Sequence, residues 1–125
     1  MVNVNHAFAG LSADDLEAAA RFYRDVLGAD VSENPNGLDV RIGGQHVFVY
    51  PKDDHVPATY TALYLEVPDV DDALEELAAT GIEPERYEGM HQDEKGVTRG
   101  RAAGMGPDIA WITDPAGNIV ALLTE

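Results

Sequence analysis

A helix signal that occurs twice constrains the fold of this chain more than any other feature of the sequence. Residues 12–28, SADDLEAAARFYRDVLG, space their apolar side chains three and four positions apart, which gives a helix one apolar face. Residues 70–81, VDDALEELAATG, show the same spacing. Both segments begin with acidic residues and end in glycine, and Ser12 or Asp14 can cap the first helix. The pattern predicts two helices at corresponding places of a repeated unit.

Strand signals surround both helices in the same order. The first half has one strand candidate before its helix, VNVNHAFAGL at 2–11, and two after it in GLDVRIGGQHVFVY at 37–50. The second half has ATYTALYLEVP at 58–68 before its helix and a shorter strand candidate, IEPERYEGM, at 82–90. It closes with IAWITDPAGNIVALL at 109–123, two apolar strands around a turn that proline and glycine favour.

The matching order predicts an internal duplication within a single domain that covers residues 1–125. Module 1 is expected at 1–57 and module 2 at 58–125, with the charged, proline-containing segment 50–59 as the link between them. A chain of 125 residues is long enough to bury the core of one domain.

The charge of the chain limits its partners. It carries 23 acidic and 8 basic residues, a formal net charge of −15, whereas binding to phosphate backbones depends on Lys and Arg. We therefore expect no nucleic acid and no membrane as a partner. No apolar run approaches the roughly 20 residues that span a bilayer. The sequence shows neither a secretory signal nor a cysteine, so we expect a cytoplasmic protein.

Three motifs resemble one known family. FYRDVLG at 22–28, the acidic start of the helix before it and the DPAGN turn at 114–118 are similar to the vicinal oxygen chelate superfamily, the glyoxalase and bleomycin-resistance fold. The resemblance covers essentially the whole chain. It implies an α+β fold of two βαβββ modules whose curved mixed sheets form an open cup, and it implies a homodimer. Metal-dependent enzymes of the superfamily hold a divalent cation in the cup with His, Glu or Gln from four strand positions.

The same resemblance locates those four positions in this sequence. Counting back seven residues from the acid before each helix, and forward three from the end of DPAGN, gives Phe8, Ala62 and Ala121, and the fourth position is Phe48 or Tyr50. A shift of two residues brings only His6 into register. We therefore expect no metal ligands and no cofactor, which argues against glyoxalase I and extradiol dioxygenase activity.

Strand alternation predicts an aromatic-sided pocket for a small organic molecule. Its candidate lining residues are His6, Phe8, Phe48, Tyr50, Tyr60, Ala62, Tyr64, Trp111 and Ala121. The alternative is that these side chains only fill the sheet as core, and core packing is the expected role of Trp111. Tyr60 and Tyr64 favour a ligand, because a buried phenol needs a hydrogen-bond partner.

The segment 88–108 is rich in glycine and charge, and it predicts a long loop. Such a loop can cover a pocket, with His91, Arg99 and Arg101 as candidate lid residues, or it can be a solvated loop without a role in binding.

Three functions fit these observations. We favour a metal-independent homodimer that binds a small organic molecule, by analogy with drug-sequestering members of the superfamily. The second is a glyoxalase-, lyase- or dioxygenase-like enzyme that uses a relocated metal through His6 and loop residues, or metal-free acid-base groups such as Tyr64 or His91. The third is an assembly protein without a ligand.

Overall fold

A computed structural model describes all 125 residues of the chain. The chain divides into two compact units, Met1–Val56 and Pro57–Glu125. We call them unit 1 and unit 2. Each unit contains a four-stranded mixed sheet and one principal helix, in the order β, α, β, β, β. The predicted α+β fold of two βαβββ modules is confirmed.

Unit 1 is built around the strand pair at the centre of its sheet. Its elements are β1 (Ala9–Ala13), α1 (Leu16–Arg21) with a following π-helical turn (Phe22–Val26), β2 (Asp30–Asn34), β3 (Gly37–Ile42) and β4 (Gln45–Pro51). The strand order is β1-β4-β3-β2, with β1 parallel to β4 and the other pairs antiparallel. Leu38, Val40, Val47 and Val49 are buried along the two central strands.

The cap of the first helix lies one residue after Asp14 and three after Ser12, the two predicted caps. Asp15 is the N-cap, and its carboxylate accepts a hydrogen bond of 3.0 Å from the backbone N–H of Ala18. The prediction of Ser12 or Asp14 was therefore wrong. The helix also widens into a π-helical turn that buries the adjacent rings of Phe22 and Tyr23, an arrangement that regular helical spacing does not predict.

Unit 2 repeats the arrangement. Its elements are β5 (Thr61–Glu66), α2 (Val70–Ala78), β6 (Thr98–Arg99), α3 (Gly100–Ala103), β7 (Asp108–Thr113) and β8 (Ile119–Thr124). The strand order is β5-β8-β7-β6, with β5 parallel to β8. Val70 and Leu74 of α2 pack with Val97 and Ala110, so the helix covers one face of the sheet.

Two predicted strands differ from the structure. The first strand begins at Ala9 and not at residue 2, because pairing with β4 starts at Ala9 with Val47. Residues 82–90 form no strand, although the N–H of Glu85 donates a 2.7 Å hydrogen bond to the carbonyl of Trp111. The second strand of unit 2 in chain order is instead the short β6, which pairs with β7 later in the chain.

None of the helices has the length and the apolar composition that crossing a bilayer requires.

Candidate functional site

The sheet of unit 1 has a second face, opposite its buried valines, that is rich in aromatic side chains. Along β4, Val47 and Val49 are buried, so alternation places His46, Phe48 and Tyr50 on the other side of the strand. The chain before β1 adds His6 and Phe8 to this side. We call the five residues His6, Phe8, His46, Phe48 and Tyr50 the aromatic face.

The rings of the aromatic face form one continuous set of contacts. Phe8 stacks on His46 with ring centroids 4.7 Å apart and meets Phe48 edge to face at 6.5 Å. Phe48 in turn stacks on Tyr50 at 6.1 Å. Phe8 is still 55% exposed, so part of this apolar surface is open to solvent. Such a surface is suited to contact with another planar group.

A carboxylate lies beside these rings. Asp39 accepts a 2.8 Å hydrogen bond from Nε2 of His46 and a 2.7 Å hydrogen bond from the side-chain amide of Asn34. Both hydrogen bonds lower the pKa of the Asp39 carboxyl below its usual value, and the one from His46 has the larger effect. Because His46 donates to Asp39 through Nε2, Nδ1 of a neutral His46 ring is an acceptor. This Nδ1 atom lies 3.4 Å from Nε2 of His6, which is then the donor.

A cavity of about 450 Å³ opens at the end of the aromatic face, next to the turn between β2 and β3. We call it the hairpin cavity. It is lined by Phe8, Asn34, Pro35, Asn36, Asp39 and Phe48. Its volume lies within the range of small-molecule pockets, about 300–1,000 Å³. Two aromatic rings and one carboxylate therefore meet at a concave site within unit 1.

The candidate residues of unit 2 have mixed environments. Tyr64, Ala121 and Trp111 are paired across β5, β8 and β7, so they lie in one row on the face opposite α2. Trp111 is only 5% exposed and meets Tyr87 edge to face at 5.8 Å. Tyr60 and Tyr64 are 68% and 63% exposed, so the expectation that they are buried phenols in search of a partner does not hold.

Arg99 fastens the loop of unit 2 instead of projecting from it. Its guanidinium donates two hydrogen bonds of 2.8 Å to Asp71 on α2 and one of 2.9 Å to Asp93. These contacts raise the pKa of Arg99 and lower that of the Asp71 carboxyl. Gln92 adds hydrogen bonds of 2.8 Å to the backbone of three loop residues. Of the candidate lid residues, only the side chains of His91 and Arg101 are exposed.

Comparison with known proteins decides the family. The sequence model of the Glyoxalase/Bleomycin resistance protein/Dioxygenase superfamily matches residues 3–122. The chain belongs to this superfamily. A search of curated protein sequences found no match.

Solved structures of the superfamily have the same fold. The fosfomycin resistance protein FosX from Listeria monocytogenes is 16% identical and has a TM-score of 0.71, covering 99% of this chain and 95% of its own. A lactoylglutathione lyase from Agrobacterium tumefaciens is 24% identical, with a TM-score of 0.65 and coverage of 97% and 94%. TnmS3, an antibiotic binding protein from a Streptomyces species, is 21% identical, with a TM-score of 0.66 and coverage of 99% and 98%.

The side chains at the expected metal positions of the superfamily do not fit a divalent cation. In unit 1, Phe8 and Phe48 contact each other edge to face and have no metal-ligating atom, and Tyr50 has one phenol oxygen. Unit 2 has Ala62 and Ala121, which carry no donor atom. No group of three or more His, Asp or Glu side chains is placed to hold a metal ion. We assign no chemical step to a metal.

Sequence reasoning missed the polar half of the site. Asp39, His46 and the turn 34–36 were not among the candidates, although alternation in LDVRI places Asp39 between two buried residues. The sequence signal that could have identified Asp39 is a single acidic residue on the face of a strand opposite its apolar side chains. Its partner on the neighbouring strand follows only from the register, in which Asp39 lies opposite Phe48 and His46 is opposite Arg41.

Proposed function

We propose that this protein binds a small planar organic molecule at the hairpin cavity of unit 1, independently of a metal, and sequesters it. The observation that carries the proposal is the cavity itself, in which the rings of Phe8 and Phe48 and the carboxylate of Asp39 converge on about 450 Å³ of space. Aromatic rings supply most of the contact area in small-molecule sites, and a few polar groups orient the ligand. The fold of an antibiotic binding protein, TnmS3, supports the same class of function.

Removing the ring of Phe48 tests whether the hairpin cavity binds the ligand. Phe48→Ala should weaken binding of a planar ligand about tenfold or more, because the variant loses a ring contact and apolar area worth at least 1.4 kcal/mol. Isothermal titration with compounds chosen by a thermal-shift screen of planar aromatic molecules measures the effect.

Tyr60→Ala is the matched control, since Tyr60 is an exposed aromatic residue that does not line the cavity. It should leave the affinity unchanged. If Phe48→Ala, shown by circular dichroism to be folded, binds as tightly as the native protein, the hairpin cavity is not the binding site.

Metal titration separates this function from a metalloenzyme. A metal that binds tightly to the native state raises its melting temperature. We expect no large rise with Ni²⁺, Zn²⁺, Mn²⁺ or Fe²⁺ at concentrations near that of the protein. A stoichiometric bound metal would contradict the proposal. Loss of that metal in His46→Ala would then indicate a relocated site at the aromatic face.

We further propose that the protein acts as a homodimer. The exposed ring of Tyr64 supports this, since a large apolar side chain in solvent marks a contact surface. Sedimentation equilibrium should give twice the mass of the 13.5 kDa chain. A single-chain mass throughout the micromolar range would contradict the dimer.

A further inference from the structure

We propose that the hairpin cavity selects an organic cation: a planar molecule that carries an amino or quaternary ammonium group, with the Asp39 carboxylate as its counter-charge. The inference rests on the proposed function and adds the chemical class of the ligand. It follows from the charges, the acceptor capacity and the rings that meet at the cavity wall.

The charge on the cavity wall has one sign. Asp39 is the only lining residue with a formal charge, and the other five are Phe8, Asn34, Pro35, Asn36 and Phe48. Neither hydrogen-bond partner of the carboxylate is a permanent cation, since one is a histidine ring and the other is an amide. No lysine or arginine lines the cavity, and Arg41, whose charge also acts on Asp39, is not among the lining residues.

The carboxylate is also held in place with acceptor positions to spare. His46 donates to one oxygen of Asp39 and Asn34 donates to the other, which orients the group. An ionised carboxylate has about four acceptor positions, so two hydrogen bonds leave about half of them for a ligand. The side chain of Asp39 is 30% exposed, which keeps it accessible to a ligand in the cavity. Hydrogen bonds from a charged donor to a carboxylate are among the strongest in proteins.

The rings act in the same direction as the carboxylate. A cation near the face of an aromatic ring is attracted by its quadrupole, and Phe8 and Phe48 both line the cavity. The net charge of −15 adds a field that attracts cations to the protein as a whole. Only the carboxylate and the rings at the cavity can select a cation that also carries a planar group.

Two probes with the same ring system, one charged and one neutral, test the selection. 1-Naphthylmethylamine and 1-naphthylmethanol share the same ring system, and the amine is protonated at neutral pH. In isothermal titration at low ionic strength, the native protein should bind the amine about tenfold more tightly than the alcohol. This ratio corresponds to a difference of about 1.4 kcal/mol in binding free energy. Asp39→Asn keeps the shape of the side chain and one of its two acceptor oxygens but removes the charge. It should abolish this preference while alcohol binding persists.

The control variant is Asp53→Asn, which removes the same charge from an exposed residue of unit 1 outside the cavity. It should keep the native preference. Equal binding of amine and alcohol by the native protein would overturn the inference and leave the proposed function intact. A preference for the amine that survives in Asp39→Asn would also overturn it, because the general acidic surface would then be the cause. Failure of both probes to bind would count against the cation site and the proposed function together.

Discussion

Trp111→Ala is expected to lower the free energy of unfolding by about 3–5 kcal/mol, the usual cost of removing a buried aromatic side chain. Trp111 is 5% exposed, lies opposite Ala121 in the central pair of the unit 2 sheet, and meets Tyr87 edge to face. Truncation leaves a cavity that the paired strands cannot close without breaking their register. Because Trp111 is the only tryptophan of the chain, urea unfolding should be followed by far-ultraviolet circular dichroism.

Met105→Ala is the control for that measurement, because Met105 is 84% exposed in the same unit. Its change in stability should stay within about 0.5 kcal/mol. A loss of less than about 1 kcal/mol in Trp111→Ala would mean that the indole is not a core side chain, and it would restore Trp111 as a candidate stacking surface for a ligand.

Gly37→Ala is expected to lower the free energy of unfolding by about 3 kcal/mol. It should also weaken ligand binding at the proposed site. Gly37 has φ of 153°, and a Cβ atom there would lie 2.3 Å from the carbonyl oxygen of Val49 and 3.1 Å from Cα of Tyr50. Both atoms belong to the backbone of a central strand, so β3 and β4 must separate to admit the methyl group. Since the turn 34–36 precedes Gly37 and lines the hairpin cavity, the displacement changes the cavity too.

Gly43→Ala separates the steric clash from the backbone strain in that prediction. Gly43 also has a positive φ, 56°, but nothing lies within 4 Å of its added Cβ. It should cost only about 1–2 kcal/mol, the price of a left-handed conformation for an L-residue. Chemical denaturation of both variants measures the difference. Equal losses in the two variants would contradict the clash with β4.

The local signals of the sequence were sufficient for most of the elements. Acids before a helix and glycine after it located both helices, because a cap and a left-handed residue depend only on their neighbours in the chain. Gly28, with φ of 72°, and Gly81, with φ of 86°, end the helices as predicted. The hairpins at Gly43-Gly44 and at DPAGN also formed, since each turn brings together strands that are adjacent in sequence.

Elements that depend on distant partners were less predictable. Residues 82–90 have the composition of a strand, yet the edge of the unit 2 sheet pairs with Thr98–Arg99. Arg99 looked like a mobile lid residue, but two acids from α2 and the loop bind it. The propensities of single residues do not specify which segment pairs with the edge of a sheet. They also do not specify which carboxylates surround a side chain.

The sequence by itself determined the duplicated βαβββ order and the superfamily. It also shows residues without a metal-binding side chain at Phe8, Ala62 and Ala121, where the family resemblance implies ligands. These follow from residue types at fixed spacings along the chain. Only the tertiary structure placed Asp39 beside His46, Asn34 and the rings of the aromatic face. That site depends on strand register and on the turn before Gly37. The pairing of β2, β3 and β4 sets Asn34 and His46 against Asp39, and the pairing of β1 with β4 brings Phe8 from a distant part of the chain.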